Sequence, residues 1–191
     1  MSNVKSVMIV GVGGQGTLLA SRVLGSAMLS QGVDVKVSEV HGMSQRGGSV
    51  ITHVRVGDSV HSPMVALGGA DYLISFEALE ASRAACYLKP GGTAIVNTQH
   101  ILPMPVITGA AAYPDDPLSA LASYRVESAD ALGIAVECGS QKALNLVLLG
   151  MFSRHLPFEE AAWRDAIAAC VPQKSLEVNL AAFARGRALM G

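Results

Sequence analysis

Short apolar runs and alternating runs follow one another along the first half of the chain. Val7–Val10, Tyr72–Phe76 and Thr93–Asn97 are apolar stretches typical of strands buried on both faces. Val33–Val40 and Val50–Val56 alternate apolar and polar residues, which predicts strands with one covered face. The pattern therefore predicts a sheet that begins close to the start of the sequence.

Helical spacing of apolar residues appears between these strands and dominates the second half. Thr17–Gln31 carries the repeat and is followed by the stop signal Gly32, and Glu77–Leu88 is a second predicted helix. The chain is predicted to be mainly helical from Ser128 onward. The helices expected there are Ala129–Cys138, Gln141–His155, Phe158–Cys170 and Leu176–Met190.

Three short segments complete the predicted sheet. Val60–Ser62 is read as the return of a hairpin, Val106–Ile107 as a strand in the proline-rich loop 98–117, and Tyr124–Val126 as the last strand. The first two strands and the helix between them predict a Rossmann-like, right-handed βαβ unit with parallel strands. We expect one domain, 1–191: a three-layer α/β/α fold with a mostly parallel sheet and a helical C-terminal part at about 128–191.

Composition narrows the classes of function. Of the 191 residues, 50% are hydrophobic and 15% charged, which indicates a large core and either a buried subunit contact or simply an alanine-rich composition. The net charge of −1 argues against a nucleic acid partner. No run reaches the roughly 20 apolar residues of a spanning helix, so no membrane association is expected.

The cysteine pattern argues against metal centres on this chain. Cys86, Cys138 and Cys170 are far apart and form no CxxC pair, which disfavours structural zinc and self-contained iron–sulfur clusters. A reducing cytoplasm fits this usage better than a disulfide framework does. We expect no metal site here.

A glycine-rich loop separates the first strand from the first helix. Gly11, Gly13 and Gly16 match GxGxxG, in which backbone amides and a helix N-terminus hold a phosphate. Glu39 stands near the place of the acid that binds ribose hydroxyls in such folds. These features indicate an NAD- or FAD-binding oxidoreductase as one candidate.

The same loop is richer than the fingerprint requires. Gly14 and Gln15 lie between the standard glycines, and Gln15 puts a long amide where an aliphatic residue would help the helix to pack. The backbone amides of Gly13–Gly16 could bind an anion, such as a phosphate of coenzyme A or of a nucleotide. A purely structural turn is the alternative.

The densest group of functional side chains follows the second strand. Glu39-Val40-His41-Gly42-Met43-Ser44-Gln45-Arg46-Gly47-Gly48 contains a carboxylate, an imidazole, a hydroxyl, an amide, a guanidinium and three glycines. A plain surface loop rarely needs so many such side chains beside glycines that allow close backbone approach. The stretch predicts a site at the end of a strand.

These motifs together resemble a known family, the gamma-type subunits of the 2-oxoacid:ferredoxin oxidoreductases, also described as the pyruvate/ketoisovalerate oxidoreductase catalytic domain family. The resemblance rests on Val37–Val50 and on Tyr87-Leu88-Lys89-Pro90-Gly91-Gly92-Thr93, and it extends to Lys142 and Asn145. It covers nearly the whole chain and is strongest to beta subunits of the indolepyruvate type. The His-Gly-Met-Ser-Gln-Arg-Gly-Gly string is its most specific part.

The resemblance implies a non-autonomous subunit of a complex that decarboxylates a 2-oxoacid and releases an acyl-CoA. Thiamine diphosphate, Mg²⁺ and iron–sulfur clusters would lie on a larger alpha subunit, with coenzyme A on or beside it and ferredoxin as electron acceptor. This sequence has no GDG…N stretch for a magnesium-bound diphosphate and no cysteine set for clusters. No cofactor is expected to bind tightly to this chain.

Three side chains are the candidate catalytic residues. Arg46 could pair with a carboxylate or phosphate, or form a structural ion pair at an interface. His41 could orient a substrate group or shuttle a proton, or be a structural histidine. Glu39 could bind a hydroxyl or hold Arg46, and the second role is favoured.

Other residues are expected to support these three. Lys142 and Asn145 share one helix face and either close the site or cap the adjacent loop. His53 and Arg55 alternate on one strand face and are interpreted as solvated. The residues expected to shape the loop are Gly42, Ser44, Gln45, Gly47 and Gly48.

Three hypotheses remain open on the sequence. The first is a subunit of a thiamine-dependent oxidoreductase, the second a free-standing nucleotide-binding oxidoreductase, and the third a scaffold subunit whose glycine loop binds nothing. Nucleotide affinity of the isolated chain separates the second from the others. Loss of turnover in an assembled complex after mutation of the loop separates the first from the third.

Overall fold

A central sheet organises the structure, a computed structural model that describes residues 4–42 and 48–190. Six strands form the sheet within these residues, in the order β2-β3-β1-β4-β5-β6. They are β1 (Lys5–Val12), β2 (Asp34–His41), β3 (Ser49–Gly57), β4 (Ala70–Ser75), β5 (Leu88–Asn97) and β6 (Arg125–Ala129). The predicted strands at the corresponding positions are confirmed, including the one at Tyr124–Val126.

The helices also follow the predicted pattern, mostly with shorter ends. They are α1 (Thr17–Leu29), α2 (Ala78–Ala84), α3 (Met104–Ile107), α4 (Ala131–Glu137), α5 (Leu144–Ser153), α6 (Glu160–Cys170) and α7 (Leu176–Ala188). Within the described ranges, none of them is long and apolar enough to cross a membrane.

The sheet is mostly parallel, with one reversed strand. β1, β4, β5 and β6 pair in parallel, whereas β3 is antiparallel to both β1 and β2. The strands β1 and β2 therefore run in the same direction, as a βαβ unit requires, but β3 lies between them. The expected parallel neighbours are thus separated, because β3 returns from the 42–48 connection and pairs along both strands.

Helices cover the two faces of the sheet unequally. Alternate residues of β1 divide between the faces: Val7 and Ile9 pack with α1 and with α4 to α7, while Met8 and Val10 pack with α2. The alternation follows from the two-residue period of a strand. The result is the expected three-layer α/β/α arrangement, with the thicker helical layer made by the C-terminal part.

The helix α5 is the centre of the thick layer. All ten residues from Leu144 to Ser153 are buried, so the helix has no solvent-exposed face. It crosses α7 closely, because a Cβ on Gly150 would lie only 2.2 Å from the carbonyl oxygen of Phe183. The absence of a side chain at this position lets the two backbones meet.

Three local predictions are corrected by the structure. Val106–Ile107 is not a strand but the end of α3, because Pro103 caps that helix and Pro105 occupies its first turn, where proline fits well. Val60–Ser62 forms no strand. The helix expected over Glu77–Leu88 ends as α2 at Ala84 and continues only as a 3-10 turn.

Candidate functional site

The candidate site lies at the carboxyl ends of β1 and β4. The chain leaves β1 toward α1 on one face of the sheet, and leaves β4 toward α2 on the other face. Adjacent parallel strands whose following helices lie on opposite faces leave a crevice at this edge, where ligands of α/β proteins usually bind. The glycine loop (Gly11–Gly16) forms one wall of that crevice.

Gln15 fixes the conformation of the glycine loop from inside. Its Oε1 accepts a hydrogen bond from the backbone N–H of Val12 at 2.8 Å, and its Nε2 donates to the carbonyl of Phe76 at 2.9 Å and to Oε1 of Gln99 at 3.3 Å. A side chain on Gly11 would lie 3.0 Å from Gln15 Oε1. The long amide therefore connects the end of β1 with the end of β4.

Asn145 holds the other end of the loop. Gly16 caps α1 with a left-handed φ of 88°, and its carbonyl accepts a hydrogen bond from Asn145 Nδ2 at 3.3 Å. A Cβ on Gly16 would lie 2.8 Å from that nitrogen. Asn145 is 1% exposed, and its Oδ1 accepts from the backbone N–H of Leu146 at 2.9 Å. The structure thus joins residues that lie 129 positions apart, and the buried Asn145 amide is bonded to the end of the glycine loop.

A cleft of about 480 Å³ opens beside these residues. We call it the glycine-loop cleft. Its polar lining includes the exposed Lys142, together with Gln99 and Gln141. The residues that line it are Gly14, Gln15, Gly16, Leu19, Gln99, Ile101, Leu132, Gln141, Lys142, Leu144 and Asn145. The structure therefore places Lys142 and Asn145 beside Gly14, Gln15 and Gly16, whereas the sequence analysis named them as support for the Glu39–Arg46 stretch.

The connection between β2 and β3 is tied to the glycine loop at its base. The backbone N–H of Gly42 donates to the carbonyl of Ser49 at 2.9 Å, and Gly13 N–H donates to the carbonyl of Gly48 at 2.9 Å. Arg46 and the predicted supporting residues Ser44, Gln45 and Gly47 lie outside the described residues. The described ends, Gly42 and Gly48, bring this connection to the edge of the sheet that carries the glycine loop.

Glu39 and His41 form a pair at the end of the edge strand β2. His41 Nε2 lies 2.9 Å from Glu39 Oε1, and Thr52 Oγ donates to Glu39 Oε2 at 2.9 Å. The His41 side chain is 61% exposed and that of Glu39 only 10%. We call Glu39, His41 and Thr52 the histidine edge. A largely buried carboxylate thus orients an imidazole that points outward.

This geometry differs from that of a dinucleotide site. In such a site the acid belongs to the strand next to β1, but here β3 separates the strands, so that Glu39 lies two strand spacings, about 10 Å, from β1 and not one. Glu39 is also engaged by Thr52 and His41. In addition, the N–H groups of Val12 and Gly13 are bonded within the chain. The geometry therefore favours the subunit and scaffold hypotheses over nucleotide binding.

His53 and Arg55 have different environments. His53 is 3% exposed, so its interpretation as a solvated residue is wrong. Its Nδ1 accepts from the backbone N–H of Val65 at 3.2 Å, and burial holds the pKa of its imidazole below the ordinary value. A neutral ring with its proton on Nε2 satisfies both observations. Arg55 is partly exposed and donates to the carbonyl of Ser62 at 3.2 Å.

Two buried carboxylates on the α2 side were missed by the sequence analysis. Glu77 caps α2 and accepts from the N–H of Glu80 at 2.8 Å, from the N–H of Ile101 at 3.0 Å and from the hydroxyl of Tyr113 at 2.8 Å. Burial, together with this hydrogen bond, raises the pKa of the Tyr113 hydroxyl. Glu80 accepts from Ser49 Oγ at 2.5 Å. The signal in the sequence was two glutamates three residues apart, directly after a buried strand.

Comparison with known proteins assigns the family. Residues 6–189 match the family described as pyruvate ferredoxin/flavodoxin oxidoreductase. The chain belongs to this family. It is 42% identical over 188 residues to "Indolepyruvate oxidoreductase subunit IorB" of Thermococcus kodakarensis, in an alignment that covers 95% of this chain and 93% of the relative. The resemblance inferred from the motifs is thereby confirmed.

Solved structures of related fold agree with the family. The gamma subunit of a keto/oxoacid ferredoxin oxidoreductase from Geobacter sulfurreducens superposes with a TM-score of 0.74 at 22% identity, covering 97% of this chain and 98% of the other. A 2-oxoglutarate:ferredoxin oxidoreductase from Magnetococcus marinus gives a TM-score of 0.77 at 18% identity, covering 98% of this chain but 31% of the other. At these identities the likeness establishes the fold, which confirms the predicted α/β architecture.

Within residues 4–42 and 48–190, the donor groups do not fit the metal centres that the resemblance implies for the complex. A four-iron cluster needs four cysteine thiolates, and this chain has three: one directly after α4, one at the end of α6 and one in the 3-10 turn after α2. Among the described residues, no group of three His, Cys, Asp or Glu side chains could hold a metal ion.

Proposed function

We propose that this chain is the small subunit of a thiamine-diphosphate-dependent 2-oxoacid:ferredoxin oxidoreductase that acts on aryl pyruvates such as indolepyruvate and produces acyl-CoA thioesters. The observation that carries the proposal is the 42% identity to an indolepyruvate oxidoreductase subunit over nearly the whole chain. The chain has no activity alone in this proposal. It completes a cytoplasmic complex whose reaction centre lies mainly on a larger alpha subunit.

The cofactors are assigned to that larger subunit. Thiamine diphosphate with Mg²⁺ would supply the decarboxylation, and iron–sulfur clusters would pass the electrons to ferredoxin. The three separated cysteines and the missing metal-ligand group among the described residues support this division.

The histidine edge is proposed to face the reaction centre or the partner surface next to it. Its imidazole is exposed at the end of an edge strand, while Glu39 fixes the ring through Nε2 and is itself held by Thr52. A ring fixed through one nitrogen can present the other, Nδ1, to a substrate or partner group in a constant direction. We propose that His41 orients such a group or carries a proton, and that Arg46 pairs with a carboxylate or phosphate.

The glycine-loop cleft is proposed to receive an anion, such as a phosphate of coenzyme A or of a nucleotide. The exposed Lys142 and the N-terminal turn of the 13-residue α1 face the same 480 Å³ space and both favour negative charge. The N–H groups of Val12 and Gly13 are bonded internally. The binding would therefore rest on Lys142 and on the residues from Gly14 onward.

Replacement of Arg46 by alanine tests the subunit proposal. The variant is co-purified anaerobically with its partner subunit, and assembly is measured by size-exclusion chromatography with light scattering. We expect indolepyruvate-dependent reduction of ferredoxin or a dye to fall at least about tenfold in an intact complex, the loss of about 1.4 kcal/mol of transition-state stabilisation. Wild-type turnover in an intact complex would reject the role of this loop.

The isolated chain provides the complementary control. It is titrated with NADH, FAD and coenzyme A by calorimetry, with Lys142→Ala as the matched variant for the cleft. Weakened binding of coenzyme A in this variant would support the anion site. Micromolar binding of NADH or FAD by the wild-type chain would instead favour the free-standing oxidoreductase.

A further inference from the structure

A buried carboxylate on α2 is bonded to the base of the β2–β3 connection. Glu80 is 4% exposed, and both of its oxygens are engaged: Oε2 accepts from Ser49 Oγ at 2.5 Å, and Oε1 pairs with Arg83 Nη1 at 2.5 Å. The Arg83 side chain is half-exposed. Burial of a carboxylate costs desolvation free energy, and an apolar side chain could pack α2 on the sheet without this cost. The contact therefore needs a reason other than general stability.

The partner of Glu80 holds the ends of the connection together. Ser49 begins β3 opposite Val12, the last residue of β1, and its carbonyl accepts from Gly42 N–H. Its neighbour Gly48 accepts from Gly13 N–H. The bond from Ser49 to Glu80 thus connects α2 to the start of β3. The backbone bonds of Ser49 and Gly48 connect the same strand end to Gly42 and to Gly13 of the glycine loop. The sequence analysis assigned no role to Ser49 or Glu80.

We propose that Ser49 and Glu80 are positioning residues that fix the start of β3, and with it the bonded residues Gly42 and Gly48 at the edge of the sheet, with Arg83 neutralising the carboxylate. This inference rests on the proposed function. A hydrogen bond to a charged acceptor is short and directional, so it restrains the strand end more tightly than apolar contact does. Neither residue is required to touch substrate.

The test uses the assembled complex with wild-type partner subunits. We expect Ser49→Ala to lower kcat about tenfold while KM for the 2-oxoacid changes less than about twofold, because the loss is in orientation and not in substrate binding. Ser49→Thr keeps the hydroxyl and should restore kcat to within about threefold of wild type. Glu80→Gln should resemble Ser49→Ala, and the double variant should be no slower than the slower single variant, since both remove one interaction.

A surface ion pair provides the matched control. Glu137 pairs with Arg185 at 2.7 Å on α4 and α7, and both side chains are more than half exposed. We expect Glu137→Gln to leave kcat within about twofold of wild type, as exposed pairs contribute little. All variants are assayed well below the Tm of the complex, so that the folded fraction does not limit turnover.

The outcomes separate this inference from the proposed function. Loss of turnover in Ser49→Ala with rescue by Ser49→Thr supports the positioning role. Wild-type kcat in Ser49→Ala, equal loss in Ser49→Thr, or failure of Ser49→Ala to assemble would each overturn it. If Arg46→Ala lowers turnover while Ser49→Ala and Glu80→Gln do not, the proposed function survives and only the positioning role is rejected. If Arg46→Ala is also unaffected, the role of Arg46 is rejected as well, whereas a wild-type complex without 2-oxoacid-dependent turnover would reject the proposed function itself.

Discussion

The glycine loop and the histidine edge lie at the same end of the sheet, yet they satisfy their polar groups in opposite ways. In the glycine loop, Gln15 and Asn145 turn inward and bond to the backbone of their own chain. At the histidine edge, only the Glu39–Thr52 bond is inward, and His41 is 61% exposed. The glycine loop is therefore a structural support whose polar side chains are bonded within the chain. The histidine edge instead presents the imidazole of His41 to the outside in a fixed orientation.

The energetic consequences follow from burial. A buried hydrogen-bonding group that loses its partner costs about 1–3 kcal/mol, because water cannot replace the partner. An exposed ion pair contributes about 0–1 kcal/mol, because water replaces it readily. Substitutions in the glycine loop should therefore lower the free energy of unfolding. Substitutions at the exposed end of the histidine edge should instead lower the turnover of the complex. The following variants test this division.

Gln15→Leu should have the largest effect on stability. The substitution keeps the volume but leaves the Val12 N–H without its side-chain acceptor, and it leaves the Phe76 carbonyl with only the hydrogen bond from Asn97 Nδ2. We expect the free energy of unfolding of the isolated chain to fall by about 2–3 kcal/mol, because the Val12 N–H loses its side-chain partner and the Phe76 carbonyl loses one of two donors. Urea denaturation followed by circular dichroism measures the change.

The matched control for this variant is Gln31→Leu. Gln31 is exposed after the end of α1, so we expect a change within about 0.5 kcal/mol. Equal changes in the free energy of unfolding for the two substitutions would show that the Gln15 amide does not stabilise the glycine loop. The contrast between the glycine loop and the histidine edge would then be wrong.

Gly16→Ala should have the next largest effect. The left-handed φ of 88° strains an alanine by about 1 kcal/mol, and the added Cβ would displace the Asn145 amide from its bond to the Gly16 carbonyl. We expect a total loss of about 2 kcal/mol in the free energy of unfolding. Gly14→Ala is the control, because Gly14 also has a positive φ but open space around its Cβ. A loss no greater than that of Gly14→Ala would indicate that the Asn145 contact contributes nothing.

The same contrast explains how much of the molecule could be predicted from the sequence. Local patterns predicted the strands and long helices because the periodicity of buried residues is set by each element's own geometry. The position of β3 between β1 and β2 could not be predicted, since it depends on pairing between distant segments. The right-handed βαβ rule predicts correctly that β2 runs in the same direction as β1, but it does not predict that β3 lies beside β2.

The residue types of the site could be predicted from the sequence better than the contacts between them. The glycine loop and the Glu39–His41 stretch were found because their residue types are unusual for a plain loop. Gln15 appeared there as an unexplained polar residue, and its role needed the carbonyl of Phe76, 61 positions away. Thr52 looked like an ordinary strand residue for the same reason, because its acceptor lies on another strand.

Thr52→Val should have a smaller effect on stability than the glycine-loop variants. The valine fills the same space but removes the donor to Glu39 Oε2, and Thr52 is fully buried. We expect a loss of about 1 kcal/mol in the free energy of unfolding, since Glu39 keeps its contact with His41 and some access to water. In a Glu39→Ala background the same substitution should cost clearly less. An undiminished cost in that background would mean that Thr52 acts through packing alone.

His41→Ala should have the smallest effect on stability and a large effect on turnover. The imidazole is mostly exposed and its bond to Glu39 is a surface contact, so we expect the free energy of unfolding to change by less than about 0.5 kcal/mol. If His41 orients a group at the reaction centre, kcat of the assembled complex should nevertheless fall about tenfold or more. Denaturation of the isolated chain and steady-state assays of the complex give the two numbers for one variant. A destabilisation as large as that of Gln15→Leu would make the histidine edge a second structural support, and unchanged turnover would remove its proposed role.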